Sequence, residues 1–326
     1  MNWVYGGVDG MTTIATLFTG FGGVDIGAIN AGLVPLWGIE NRPDVAAVAN
    51  ANLGGHIIVA DVLDVDPHTL ERPEVLHASP PCPRFSLANQ NKGETNEDIA
   101  LGQAVARFIR VLRPSVFTLE NVYLYRKSKS WAIIRQALNE CGYWFDLAHV
   151  DAADFGVPQN RRRMWVRALL GQMIPRLSEL EPWQGWYQAI EDLIPNLPDS
   201  QFAEWQLARG VEELARETTL VAQGSFDHTN VGNERKPQPL GARRADQPAF
   251  TVTGNSSMAG MRAFVVDGQN SSGRVAQMTP RCGARWQTFP DGYKLSGNNA
   301  LSWYGIGNAV PPLLYQKLVA PLVNLL

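Results

Sequence analysis

Two side chains able to do covalent and acid–base chemistry follow neighbouring apolar runs of the sequence. Cys82 follows the run Val75–Ser79 after two prolines, and Glu120 lies near the end of the run Ser115–Val122. A lone cysteine is more often a small core residue than a nucleophile, but Arg84 follows closely and favours the thiolate. Glu120 is either a solvated acid or a partly desolvated one facing the same crevice as Cys82. The second interpretation suits nucleophilic addition to a ring whose nitrogen must be protonated.

A glycine-rich turn, Phe18–Gly23, follows the first apolar run and precedes a helical pattern. Closely spaced glycines at this position let a ligand approach the backbone N–H groups of a helix N-terminus, although the spacing is not that of a dinucleotide fingerprint. Glu40 and Asp61 end the second and third apolar runs, where a carboxylate suits a ribose diol or an adenine amine. The alternative is a tight turn with two solvated acids. Because the first three apolar runs all end in groups that suit a nucleoside, the sequence favours a nucleoside cofactor.

Candidate nucleic-acid contacts fall in two places. Between Gln159 and Arg176 there are five arginines and no acids. Such a run is either a solvated face or a set of phosphate and base contacts, since guanidinium groups suit both. A second, looser group of polar and basic residues is equally compatible with solvated loops: Asn230, Asn233, Arg235, Lys236, Arg243 and Arg244.

The elements that must position these residues alternate between apolar runs and amphipathic stretches. Five runs predict buried strands: Thr12–Phe18, Val34–Glu40, His56–Asp61, Val75–Ser79 and Ser115–Val122. Ile99–Leu112 and Trp131–Cys141 predict helices, while Trp144–Val150 and Met164–Leu169 can close the same sheet. This alternation predicts an α/β domain with a largely parallel sheet, whose ligands bind at the carboxyl ends of the strands.

A second, smaller unit is predicted after about Leu170, where the α/β rhythm stops. It contains a helical stretch at Phe202–Thr218 and strand-like runs at Ala249–Thr253 and Ala263–Val266, and Pro311–Leu326 predicts a terminal helix. We therefore divide the chain into a catalytic domain (1–195), a recognition domain (196–275) and a returning C-terminal segment (276–326).

Composition excludes several classes of protein. The chain has 326 residues, 45% of them apolar and 18% charged, which excludes a disordered chain. No apolar run approaches the roughly 20 residues of a membrane helix, and no secretory signal is visible. The three cysteines, Cys82, Cys141 and Cys282, have no metal-ligand spacing, so we expect no metal and a reducing cytoplasm. The net charge of -3 argues mildly against a nucleic-acid partner.

The order of the motifs resembles that of the cytosine-5 DNA methyltransferases of bacteria and phages. The motifs are Phe18–Gly23, Pro81–Cys82, Glu120–Val122, Gln159–Arg163 and Gly307–Pro311. The resemblance covers most of Thr12–Leu169 and Arg243–Val319 and fails over roughly Asp199–Gly241, where this family keeps its variable recognition region. It implies a Rossmann-like methyltransferase sheet with a smaller target-recognition domain.

The resemblance also implies S-adenosylmethionine as cofactor and assigns a role to each matching residue. The cofactor residues would be Phe18, Gly20, Gly22, Gly23, Glu40 for the ribose, Asp61 for the adenine, and Asn308 from the C-terminal segment. Cys82 would be the nucleophile, Glu120 the acid that contacts cytosine, and Arg161 and Arg163 neighbours of the flipped base. Residues expected to contact DNA are Arg84, Ser86, Gln159, Arg162, Arg243 and Arg244.

Two positions depart from the family pattern. Pro83 stands where the family usually has glutamine, and Cys282 stands where glutamate is common. The expected partner is double-stranded DNA that contains a short target sequence. The protein itself is expected to be a monomer that makes no contact with a membrane. Methylation of structured RNA by the same chemistry, and DNA binding by an inactive member of the fold, remain alternatives. A restriction partner, a solitary role and a phage role all remain open.

Overall fold

The computed structural model describes most of the chain. The described segments are residues 10–81, 94–177, 179–207, 217–221, 241–254, 261–266 and 273–326. Cys82, Arg84, Ser86 and four of the polar and basic candidates, Asn230, Asn233, Arg235 and Lys236, lie outside these segments.

Seven strands form one sheet in the order β3-β2-β1-β4-β5-β7-β6. The strands are β1 (Thr13–Leu17), β2 (Val34–Glu40), β3 (Ile57–Val59), β4 (Val75–Ala78), β5 (Val116–Asn121), β6 (Tyr143–Asp151) and β7 (Arg162–Leu170). All neighbouring strands are parallel except β7, which is antiparallel to both β5 and β6. The predicted α/β class and its seven strands are therefore confirmed.

The helices of this region alternate with the strands. They are α1 (Gly23–Asn30), α2 (Pro43–Leu53), α3 (Asn96–Leu112) and α4 (Lys129–Glu140). Helix α3 begins with a capping box, in which Thr95 accepts from the Asp98 N–H and Asp98 accepts from the Thr95 N–H. Every residue of β1 and of β5 is buried, because strands covered on both faces need apolar side chains on both. These two central strands end at the glycine turn and at Glu120.

A second sheet of four antiparallel strands has the order β11-β10-β8-β9. Its strands are β8 (Thr219–Val221), β9 (Ala242–Arg244), β10 (Arg262–Val266) and β11 (Gly273–Gln277). Strand β10 confirms the predicted run at Ala263–Val266. The domain boundaries themselves remain a prediction.

Two predicted elements of this region are wrong in part. The run Ala249–Thr253 forms no strand and makes only an isolated bridge with Gln159, because its backbone bonds go to the residues around Gln159. The helix predicted over Phe202–Thr218 is described only as α5 (Glu204–Leu207), and residues 217 and 218 are not helical.

The chain ends in helices α6 (Pro280–Trp286), α7 (Asn299–Asn308) and α8 (Pro312–Val323), the last matching the predicted terminal helix. Helix α8 packs on α1 so closely that a Cβ at Gly27 would overlap the Pro312 carbonyl oxygen. The Tyr315 hydroxyl lies 3.3 Å from Thr118 Oγ1 on β5. Within the described segments, no helix is both long and apolar enough to cross a membrane.

Candidate active site

The glycine-rich turn leaves β1 with three residues in the left-handed region. Phe18, Gly20 and Gly22 have φ values of 61°, 58° and 71°. Both oxygens of Glu40 accept backbone N–H groups, from Gly20 and Arg42 at 2.9 Å each. The carboxylate at the end of β2 therefore holds the turn in place. No atom of the described residues lies within 4 Å of an ideal Cβ at Gly20, so within the described part of the chain this face of the turn is open.

Gly22 and Gly23 are required by packing inside the protein. A Cβ at Gly22 would overlap Leu53 of α2, and one at Gly23 would overlap the Val310 carbonyl oxygen. The close approach of Val310 joins the turn to the C-terminal segment. This packing explains both glycines without reference to a ligand.

The remaining cofactor candidates lie on separate elements. Asp61 follows β3, is half-buried, and accepts the Leu63 N–H through Oδ1 at 2.9 Å. Asn308 ends α7 and is exposed, and a Cβ at Gly254 would overlap its side-chain amide. Helix α7 also packs against the glycine turn, since a Cβ at Gly305 would overlap the ring of Phe21.

A buried ion pair lies behind the glycine turn. Asp25, in the first turn of α1, has Oδ1 2.9 Å from His56 Nε2. Thr16 Oγ1 also donates to Oδ1 at 3.4 Å, whereas Oδ2 has no hydrogen-bond partner among the described residues. Burial disfavours the charged form of His56, but the hydrogen bond and charge of Asp25 outweigh it and raise the pKa of His56.

We expect the stability that His56 contributes to decrease as the pH rises. A histidine whose folded pKa exceeds its unfolded value of about 6.5 contributes fully below that value, and the contribution is lost as the pH passes the folded pKa. Urea unfolding from about pH 6 to about pH 9 should show a shrinking difference between wild type and His56→Gln. His68→Gln, in an exposed turn, is the control. A difference that stays constant with pH would contradict the ion pair.

Glu120 lies at the end of β5 and is buried. Its Oε1 is 3.1 Å from Arg163 Nε and 3.9 Å from Arg161 Nη2. Of the two sequence interpretations, the structure favours the desolvated acid. The contacts with the two guanidinium groups are ionic, since Oε1 accepts no hydrogen bond from a described residue.

Arg161 connects three parts of the chain. Its side chain is buried, with its residue only 2% exposed, and Nη1 donates to the carbonyl oxygens of Val252 at 3.2 Å and Gly307 at 2.9 Å. Burial, together with the charge of Arg163, lowers the pKa of Arg161 to about 9, against the opposing effect of Glu120. The group therefore remains a cation at neutral pH. It ties Glu120 to the loop at Val252 and to the end of α7.

Hydrogen bonds from β5 hold β4, the strand that leads into Cys82. His77 on β4 is buried, with Nδ1 2.8 Å from Thr118 Oγ1 and Nε2 2.6 Å from Ser79 Oγ. Asn121, directly after Glu120, donates from Nδ2 to the Pro80 carbonyl oxygen at 3.0 Å. The described chain then stops at Pro81, directly before Cys82. The end of β4 is thus tied to the strand that carries Glu120.

Gln159 does not fit its predicted contact with DNA. It is 0% exposed, its Nε2 donates to the Trp286 carbonyl oxygen at 3.0 Å and to Gln287 Oε1 at 2.6 Å, and its Oε1 accepts the Val252 N–H at 2.9 Å. All three hydrogen bonds are internal to the protein. Gln159 therefore links α6 to the loop at Val252, which is a structural role.

A cleft of about 390 Å³ adjoins this centre. The residues that line it are Asn160, Arg162, Arg163, Trp183, Arg243 and Thr251. Arg162 pairs with Asp151 at 3.0 Å, and the exposed Arg244 pairs with Asp246 at 3.1 Å outside this lining. The cleft brings the first basic run together with β9 of the second sheet.

Two residues of the site were missed by the sequence interpretation. The side chain of Asn121 was given no role, although it lies within a quoted motif and an amide at a strand end is a recognisable signal. Trp183 lies in a proline-rich stretch with no periodic pattern, so nothing local marks it.

Comparison with known proteins gives one family. The family profile described as C-5 cytosine-specific DNA methylase matches residues 12–324. The Type II methyltransferase M1.HphI of Haemophilus parahaemolyticus is 27% identical over 337 residues, which cover 96% of this chain and 87% of that protein. The Type II methyltransferase M.HhaI of the same organism is 24% identical over 306 residues, covering 90% and 89%.

A solved structure shares the fold. The Dnmt2 methyltransferase of S. pombe superposes with a TM-score of 0.66 at 16% identity, covering 96% of this chain and 98% of that one. At this identity the likeness concerns the fold alone.

Proposed function

Because the chain belongs to the C-5 cytosine-specific DNA methylase family, we propose that it transfers a methyl group from S-adenosylmethionine to carbon-5 of a cytosine in duplex DNA. Cys82 is the nucleophile in this proposal, and the cytosine is turned out of the helix. The observation that carries the proposal is the buried Glu120, which two arginines hold beside the strand leading into Cys82.

The glycine turn suits the cofactor. Among the described residues, none comes within 4 Å of an ideal Cβ at Gly20, so the turn leaves room for a ligand beside the start of α1. Glu40 ends β2 and Asp61 follows β3, and their carboxylates supply acceptors for a ribose diol and an adenine amine. S-adenosylmethionine, when bound, supplies an electrophilic methyl group on sulfur.

Two residues of this chain make cytosine reactive. The Cys82 thiolate adds to carbon-6 while Glu120 donates a hydrogen bond or a proton to ring nitrogen-3, so that carbon-5 becomes enamine-like. Carbon-5 would then take the methyl group as its bond to the sulfonium sulfur breaks, leaving a thioether. A base then removes the proton from carbon-5, the bond from the Cys82 sulfur to carbon-6 breaks, and a proton placed on nitrogen-3 returns to Glu120. Cys82 is thereby regenerated as the thiolate.

The substrate base must leave its stack to reach Glu120, because a carboxylate buried at a strand end cannot contact a paired cytosine. Extrusion costs a few kcal/mol, which pocket and phosphate contacts offset. Arg163 pairs with Glu120 and also lines the cleft, so it borders both the target base and the adjoining backbone.

We expect Cys82→Ala to abolish formation of a covalent complex with duplex DNA carrying 5-fluorocytosine. Fluorine at carbon-5 cannot leave as a proton does, so the wild-type adduct should accumulate in the presence of cofactor. The covalent complex should survive denaturation and appear as a shifted band in a denaturing gel. Cys141→Ala, which changes a buried cysteine outside the proposed site, should still form it.

An adduct that survives Cys82→Ala would contradict this mechanism. Parallel assays on duplex DNA and on tRNA separate the proposed substrate from structured RNA. Tight binding of cofactor and DNA by the wild type with no methyl incorporation would instead indicate an inactive reader of DNA. Base-resolution sequencing of DNA from expressing cells would then identify the methylated target.

A further inference from the structure

One wall of the arginine-lined cleft is an exposed tryptophan. Trp183 is 53% exposed, although a side chain of this size is usually buried for most of its surface. Its indole Nε1 donates to Asp154 Oδ1 at 2.8 Å. Asp154 lies in the short helix Ala152–Phe155, just before the basic run. The ring is therefore held by its polar edge while its apolar faces remain accessible.

The charges around Trp183 complement an anion with a flat group attached. Arg162, Arg163 and Arg243 line the same cleft, and the side chain of Arg162 is 70% exposed. Arg243 lies over the ring of Phe250 at 5.0 Å, and no carboxylate partner of Arg243 occurs among the described residues. Cations beside an accessible aromatic face favour a nucleotide, since guanidinium groups bind phosphate and an indole stacks on a base.

The size and position of the cleft agree with such a ligand. Its volume of about 390 Å³ falls within the roughly 300–1,000 Å³ of clefts that hold small organic groups. Arg163 forms part of its lining and also pairs with Glu120 through Nε. A group bound in the cleft is consequently the immediate neighbour of a base bound at Glu120.

We propose that Trp183 is a stacking surface for a nucleotide that flanks the target cytosine, with Arg162 and Arg243 holding the adjacent phosphates. This inference rests on the proposed function, because it assigns the cleft to the same DNA strand. Stacking is insensitive to salt, whereas each phosphate contact adds to the salt dependence of binding. The two kinds of contact can therefore be measured separately.

The test uses the full chain and a labelled duplex that contains the target found by methylation sequencing. Fluorescence anisotropy at several salt concentrations should show that Trp183→Ala raises the Kd about tenfold. The slope of log Kd against log salt should stay unchanged. Trp183→Phe should retain most of the affinity, because phenylalanine also offers an aromatic face. Arg243→Gln should lower the slope by about one, as expected for the loss of one phosphate contact.

Trp144→Ala is the matched control, because Trp144 is 57% exposed on the edge strand β6 and does not line the cleft. It should leave the Kd unchanged, and cofactor binding should be equal in all variants.

If the wild type methylates the duplex and Trp183→Ala binds it equally well, the inference is overturned while the proposed function stands. A Trp183→Ala variant that changes the salt slope would also overturn it, since the tryptophan would then act by placing the arginines. If the wild type neither binds nor methylates duplex DNA, the proposed function itself fails.

Discussion

Replacing Glu120 with glutamine should lower kcat by about 10²- to 10⁴-fold, the range typical of a lost general acid. Glutamine keeps the shape of the side chain, but it cannot deliver a proton to ring nitrogen-3 of cytosine. Single-turnover methylation of duplex DNA at saturating cofactor measures the chemical step directly. The effect should fall on kcat, because the loss concerns the activated base rather than the binding of DNA.

Glu140→Gln is the matched control for this substitution. Glu140 also pairs with an arginine, Arg110 at 2.8 Å, but both of these side chains are exposed. Exposed pairs contribute little, so kcat should not change. If kcat were unchanged in Glu120→Gln, or if only KM changed, the proposed role of Glu120 as the acid would be contradicted.

Replacing Arg161 with methionine should destabilise the protein by about 3–5 kcal/mol, the cost of removing one partner from a buried ion pair. The substitution removes both hydrogen bonds to backbone carbonyl oxygens at Val252 and Gly307 and leaves the buried Glu120 with Arg163 alone. Urea unfolding followed by circular dichroism measures the difference. Methylation should fall as well, because the end of α7 is no longer tied to Glu120.

Arg162→Met provides the comparison, since Arg162 is its sequence neighbour and its side chain is largely exposed. Its effect on the free energy of unfolding should stay within about 1 kcal/mol, as for other exposed pairs. Combining Arg161→Met with Glu120→Gln should cost less than the sum of the single changes, because the remaining amide carries no charge. Strict additivity, or a stable Arg161→Met, would show that Arg161 does not support the acid.

The strands of the large sheet were predictable because their apolar runs are short and end in turn residues. The parallel order of β1, β4 and β5 then brings the ends of these runs to one edge of the sheet, as the sequence interpretation assumed. The run Ala249–Thr253 shows the limit of this reasoning. Its pattern is that of a strand, but its backbone groups bond to the residues around Gln159 instead of to a sheet.

The overall charge was a poor guide to the partner. A net charge of -3 argued mildly against nucleic acid, yet Arg243 joins the sequence neighbours Arg162 and Arg163 in lining one cleft. The field that a phosphate experiences depends on nearby charges, since salt screens those beyond about 10 Å. Only the fold decides which charges are near.

The sequence by itself determined the family, the α/β sheet and the order of the motifs, because these depend on residue types at short range along the chain. Tertiary structure alone decided that Gln159 is buried, that Arg161 joins Glu120 to Val252 and Gly307, and that Trp183 faces the arginines. These roles arise from contacts between residues up to 146 positions apart. Burial and partnership at such separations depend on how the elements pack, and no local pattern of residue types encodes that packing.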